Sequence, residues 1–160
     1  MKKFFFSLFL LLITLAIQST ITNYILVGGI QLNLVLVIVI STSLIFGEFF
    51  AIIFGFFAGI CSDFLFGHIL GLFAFVNMIS AFICLRVKRI FAGEHYIIPT
   101  VVMIIVTEIW VFLTYIISFS LGKEVIQGNL INKIIYQPLI NGLVMLIIHP
   151  IIKKIGSLLK

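Results

Sequence analysis

Six apolar runs stand out along the chain, each closed by a polar residue or a glycine: 4–26, 30–46, 49–66, 69–85, 97–121 and 134–152. A helix that crosses the hydrocarbon core of a bilayer needs about 20 mostly apolar residues, so each run approaches or exceeds that need. The pattern predicts an all-α polytopic membrane protein, a single domain over 1–160 built as a bundle of six transmembrane helices. The second, third and fourth runs are short, at 17, 18 and 17 residues, and little more than Gly47-Glu48 and Gly67-His68 joins them. Such connections force antiparallel neighbours. Pro99 suits the first turn of the fifth helix, where its missing N–H would be unsatisfied anyway. Pro138 and Pro150 fall near the start and end of the sixth, which predicts a kink around His149-Pro150.

The first run follows Met1-Lys2-Lys3, so a cleaved signal peptide is its rival reading. A signal h-region is only about 7 to 15 residues and ends at small residues. This run continues to Val27 with single polar breaks and no Ala-x-Ala follows it, so an uncleaved first span is expected.

Composition excludes a water-soluble alternative. Of the 160 residues, 63% are hydrophobic and 9% charged, whereas a soluble domain is about 25% charged. Too few charges are present to cover a soluble surface, so the solvent is lipid. The net charge of +5 does not imply nucleic acid, because ten Lys and Arg scattered between apolar runs make no basic groove with interleaved aromatics. Their role is orientation. With six spans and the amino terminus inside, Lys2, Lys3, Arg86, Lys88, Arg89, Lys153, Lys154 and Lys160 are cytoplasmic and only Lys123 and Lys133 fall outside. That partition agrees with the excess of Lys and Arg in cytoplasmic loops. It places Cys61 and Cys84 near opposite faces of the membrane, too far apart for a disulfide.

Catalysis finds little support. The chain has one aspartate, Asp63, whereas intramembrane aspartyl chemistry needs two carboxylates of unequal pKa. No Gly-x-Ser-x-Gly elbow, His-Glu-x-x-His pair or phosphate-binding glycine loop occurs. His68, His95 and His149 are isolated from one another and from cysteine, so neither a metal nor another cofactor is expected.

The sharpest local signal is a spacing of four through Gly55, Gly59, Asp63, Gly67 and Gly71. On a helix this spacing keeps residues on one slowly drifting face. Gly55-x-x-x-Gly59 makes a notch where another helix can approach closely, and Asp63 lies one turn beyond. Either a neighbouring span of the same chain or a partner's helix would fill such a notch. Asp63 is expected to tie the turn between the third and fourth spans together, with the Gly67 and His68 amides as its partners.

These residues resemble the signature of the rod shape-determining protein MreD family: a glycine-rich span ending in Gly-x-x-x-Asp, a glycine turn, and a further glycine opening the next span. Gly59, Asp63, Gly67 and Gly71 match it in turn, and the length, the six-run hydropathy and the basic cluster Arg86, Lys88 and Arg89 also fit. Family members often carry Pro-Asp at the entrance to the second span, where this chain has Leu32-Asn33. The resemblance implies a non-catalytic member of the bacterial wall-elongation machinery in the cytoplasmic membrane. Its implied partners are MreC, the MreB filament, the glycosyltransferase RodA and its penicillin-binding transpeptidase, with MreC the first candidate for the Gly55/Gly59 face. The alternative is a substrate-binding S component of an energy-coupling-factor vitamin transporter, another small six-span protein. Such proteins usually show Ala-x-x-x-Ala on the first span, which here offers only Ala16.

Polar residues within the runs complete the picture. Glu108 falls at the middle of the fifth run, where a charged carboxylate costs about 2.5 to 3.5 kcal/mol on insertion scales. Asn77 sits at similar depth in the fourth, so the two are expected to form a buried polar pair, with an ion or proton path as the alternative. Ser41-Thr42-Ser43 and Asn141 are expected to bond between helices. The 18 Phe are mostly lipid-facing bulk, and Trp110 near mid-span is no interfacial anchor.

Overall fold

A computed structural model describes residues 2–24, 32–66, 69–90, 97–123 and 130–158. These form six helices: α1 (Lys2–Tyr24), α2 (Leu34–Phe46), α3 (Glu48–Phe66), α4 (Leu72–Ile90), α5 (Ile98–Ser120) and α6 (Leu130–Ser157). Each expected run is therefore a helix, but the boundaries shift for identifiable reasons. α2 starts four residues later than expected because Asn33 is its N-cap, its side chain accepting from the Leu36 N–H at 3.0 Å. α6 starts four residues earlier and ends five later, running through both Pro138 and Pro150.

Among the described residues three helices, α3, α5 and α6, are long and apolar enough to cross a membrane on their own. α2 is shorter, and its 13 residues extend roughly 20 Å against a core of about 30 Å.

α2 is the axis of the bundle. Every residue from Leu34 to Ser43 is buried, and α1, α3, α4, α5 and α6 all touch it. α3 and α4 form a tight antiparallel hairpin, α4 packs on α5 and α5 on α6, while α1 lies against α2 and α3. Two apolar clusters hold α2 in place. One joins Leu11, Val35, Ile38, Val39, Phe54 and Ala58; the other joins Leu36, Val37, Ile40, Met103, Val106 and Met145.

The distribution of polarity is the reverse of a soluble fold. Ser41, Thr42, Asp63, Asn77, Thr107 and Asn141 are buried, while Phe5, Phe9, Phe57, Phe64, Phe112 and Phe119 are exposed. Large apolar surface facing outward around a polar interior is stable in lipid, where interhelical hydrogen bonds replace water, and not in water.

The bundle has two distinct ends. At one, Glu48 opens α3 and pairs with Arg86 and Arg89 of the last turns of α4, at 3.3 and 2.9 Å. Lys88 donates from Nζ to the Leu44 carbonyl in the last turn of α2, at 3.2 Å, which suits a cation at a helix C-terminus. Gly156 of α6 lies against Ile45 and Phe46 at this same end. The other end carries the α3–α4 turn and the start of α2.

Candidate functional site

The Gly55, Gly59 and Asp63 face of α3 meets α4 of the same chain. A Cβ on Gly55 would lie 2.9 Å from the Asn77 carbonyl oxygen and 3.2 Å from the Ala81 Cβ. On Gly59 it would lie 2.3 Å from both the Ala74 Cα and the Phe73 carbonyl oxygen. The missing side chains are thus the space that α4 occupies. The notch is filled internally and leaves no room for a partner's helix, which corrects the expectation that MreC is seated there.

Asp63 completes this seam. It is 3% exposed. Its Oδ1 accepts from the Phe73 N–H at 2.8 Å, and its Oδ2 accepts from the N–H groups of Gly71 and Ala74, each at 3.0 Å. α4 begins at Leu72, so Gly71 stands where an N-cap residue would and has no side chain to offer. An N-cap side chain ordinarily accepts from the second or third helical N–H. Asp63 supplies that acceptor from the neighbouring helix, and its charge also favours the positive end of α4. Gly71 has φ +90°, a conformation that disfavours any side chain, although nothing would crowd a Cβ there. The donors to Asp63 are therefore Gly71, Phe73 and Ala74. Gly67 and His68 lie outside the described residues.

Asn77 and Glu108 are not brought together. The Asn77 Oδ1 accepts from the Trp110 indole N–H at 2.9 Å, and Trp110 stacks on Phe73 with ring centroids 5.7 Å apart. Thr107 and Val111 are the buried residues of α5 that flank Glu108 in the chain. One residue beyond Thr107 is about 100° around the helix, so Glu108 points away from Asn77 and is half-buried. The buried polar pair is corrected to Asn77 with Trp110.

A polar knot that sequence reasoning only partly found surrounds the start of α2. Asn141 of α6, fully buried, accepts through Oδ1 from the Asn33 N–H at 3.1 Å and donates through Nδ2 to the Thr107 hydroxyl at 3.3 Å. Gln18 of α1 accepts through Oε1 from the Val35 N–H at 3.0 Å. Further along, His149 Nδ1 and the Ser41 hydroxyl are 3.0 Å apart. The spacing of four through Lys133, Gln137 and Asn141, with His149 eight residues further on, was the available signal. Ser43, Thr42 and Thr107 instead return their hydroxyls to carbonyls of their own helices.

The described residues bring no group of three His, Cys, Asp or Glu together. Cys61 and Cys84 are both free. The arrangement holds helices together through caps, notches and buried amides, and its class is that of a small helical membrane protein with a polar interior.

The family model for rod shape-determining protein MreD matches residues 1–157. The chain belongs to this family, which is a family of non-catalytic, shape-determining membrane proteins. Membership replaces the alternative of a vitamin-transporter S component. No curated protein and no solved structure matches the chain.

Proposed function

We propose that the protein is a structural component of the bacterial cell-wall elongation machinery, maintaining rod shape through contacts with MreC, the MreB filament, RodA and its penicillin-binding transpeptidase. The observation that carries this reading is the family match across residues 1–157. The interior supports it, because buried polar groups among the described residues fasten one helix to another, as Asp63 does for α3 and α4 and Asn141 for α6, α2 and α5. In this reading all six helices lie in the cytoplasmic membrane, with the Glu48, Arg86 and Arg89 end facing the cytoplasm together with both termini. Lys88, Lys153 and Lys154 belong to that side, in keeping with the positive-inside tendency. Since α4 fills the Gly55/Gly59 notch, contacts with partners fall to the outward surfaces of the bundle.

The test is depletion in a rod-shaped host followed by microscopy. Rounding that is reversed by the wild-type protein supports the proposal, and unchanged cell shape refutes it. Reporter fusions at Lys160 and near Gln127 should read cytoplasmic and external; an external C-terminus would refute the orientation alone.

A further inference from the structure

Glu108 stands near the middle of α5, with roughly 15 Å of helix to Ile98 and roughly 18 Å to Ser120. It is half-buried and forms no hydrogen bond or ion pair with another described residue; the ion pairs among them join Glu48 to Arg86 and Arg89. A carboxylate at that depth is costly, and membrane helices ordinarily turn such a group into the bundle or pair it. Here it opens outward. Elsewhere the outward positions near mid-helix are apolar, as at Leu12 of α1, Phe57 of α3 and Leu143 of α6.

Two contacts fix the direction in which this side of α5 looks. Trp110, about 200° around the helix from Glu108, bonds Asn77 of α4. Ile104, one turn before Glu108, borders α6, since a Cβ on Gly142 would lie 2.9 Å from the Ile104 Cγ1. Glu108 therefore begins a strip beside the α5–α6 seam, on the side of α5 away from α4. Phe112, Tyr115 and Phe119 continue it toward Ser120, all three exposed, with Tyr115 and Phe119 stacked at 6.1 Å between ring centroids. From Glu108 the intervals are four, three and four residues, the spacing by which one helix seats another along its side.

The charge selects the occupant. Lipid offers no cation at this depth, because headgroups lie about 15 Å from the middle of the hydrocarbon core on either side. A second copy of the chain, related by a twofold axis along the membrane normal, would set its own Glu108 opposite at the same depth, like charge against like. A basic side chain on a different helix relieves the cost of both charges, which the membrane tolerates as a pair.

We propose that Glu108, Phe112, Tyr115 and Phe119 seat a transmembrane helix of a partner protein that carries one basic side chain at mid-membrane depth. The cation pairs with the Glu108 carboxylate and sets the height of the partner helix. The three rings pack against its apolar side chains along the rest of the strip. This seat rests on the protein working through contacts within the membrane, but cell rounding on depletion and helix binding in vesicles are separate readouts, and either can fail alone.

The test uses the full chain reconstituted in phosphatidylcholine vesicles, with energy transfer measured to labelled synthetic polyleucine helices of about 20 residues. A helix with one central lysine should associate roughly tenfold more tightly than the all-leucine helix, and moving the lysine two turns toward one end should remove that advantage. Glu108→Leu should keep the thermal midpoint of the wild type, because the side chain faces lipid, and should bind the central-lysine and all-leucine helices equally. Phe112→Ala leaves the carboxylate in place and should weaken the central-lysine helix about threefold. The proposal is overturned if the wild type shows no preference for the central lysine, if Glu108→Leu or Glu108→Gln keeps the whole preference, or if Phe112→Ala has no effect. A fall in the thermal midpoint of Glu108→Leu would also overturn it, by giving Glu108 a partner inside the bundle. Energy transfer between two labelled copies of the chain that is lost in Glu108→Leu would overturn it by assigning the strip to a second copy.

Discussion

A Cβ placed on Gly59 would come within 2.3 Å of the Ala74 Cα. No rotamer change relieves such a clash, because the atoms met are main chain, so α3 and α4 would have to separate. Gly59→Ala is expected to destabilise the protein by about 1–3 kcal/mol, and more than Gly55→Ala, whose Cβ would meet the Asn77 oxygen at 2.9 Å. Gly59→Leu should fail to accumulate in the membrane. Denaturant titration of the alanine variants and immunoblotting of membranes for the leucine variant check this, and a Gly59→Leu protein that accumulates normally would contradict the internal seam.

Asp63 holds three main-chain N–H groups with two oxygens. Asparagine keeps one acceptor, and leucine keeps none while burying all three donors. Each orphaned donor costs about 1–3 kcal/mol, so Asp63→Leu should lose at least twice the stability lost by Asp63→Asn. Shape complementation in depleted cells should follow the same order. Equal and complete loss of function in both variants, at normal protein levels, would point to a requirement for the negative charge itself.

The φ of +90° at Gly71 separates conformation from space, since nothing lies within 4 Å of a Cβ there. Gly71→Ala should cost about 1–2 kcal/mol through backbone strain alone. Gly71→Asn, which tolerates the left-handed region better, should recover part of that loss in the same unfolding assay.

The six helices and their order were legible because lipid makes each apolar run a helix of its own. Boundaries were less so. Lys133 breaks the hydropathy of the sixth run, yet the helix continues through it because the side chain lies on the buried face. The importance of Asp63 was visible in its spacing from Gly59, but its partners are main-chain N–H groups, which carry no side-chain signature. Asn77 and Glu108 matched in depth, and depth fixes height without fixing azimuth. Trp110, two residues beyond Glu108, faces Asn77 across the seam. The partner's side of the Gly55/Gly59 notch was not encoded in the notch, since small residues on one helix do not say which helix fills them.

That azimuth gives a paired prediction. Trp110→Phe keeps an aromatic ring against Phe73 but leaves the Asn77 Oδ1 unpaired, at a cost of about 1 kcal/mol. Glu108→Gln breaks no bond to the described residues and should change stability by less than about 0.5 kcal/mol. Unfolding in detergent should separate the two, and a large loss in Glu108→Gln would reinstate Glu108 as a structural partner.

Asn141 joins three helices through one side chain, accepting from the α2 start and donating to Thr107 of α5. Hydrogen bonds between membrane helices average about 0.6 kcal/mol and reach about 1.7 kcal/mol, so exchanging a pair for apolar groups is cheap. Asn141→Leu does something different. It strands the Asn33 N–H at the buried foot of a short helix. The expected loss is about 1–3 kcal/mol, exceeding that of Ser41→Ala, whose hydroxyl meets His149 nearer the basic end. A double-mutant cycle with Thr107→Val distinguishes the two bonds of Asn141. The coupling to Thr107 should account for the smaller share, because the Thr107 hydroxyl keeps its own bond to the Met103 carbonyl at 2.8 Å. Full additivity between Asn141→Leu and Thr107→Val, with a total below about 0.5 kcal/mol, would mean that α2 is held in place by apolar packing alone.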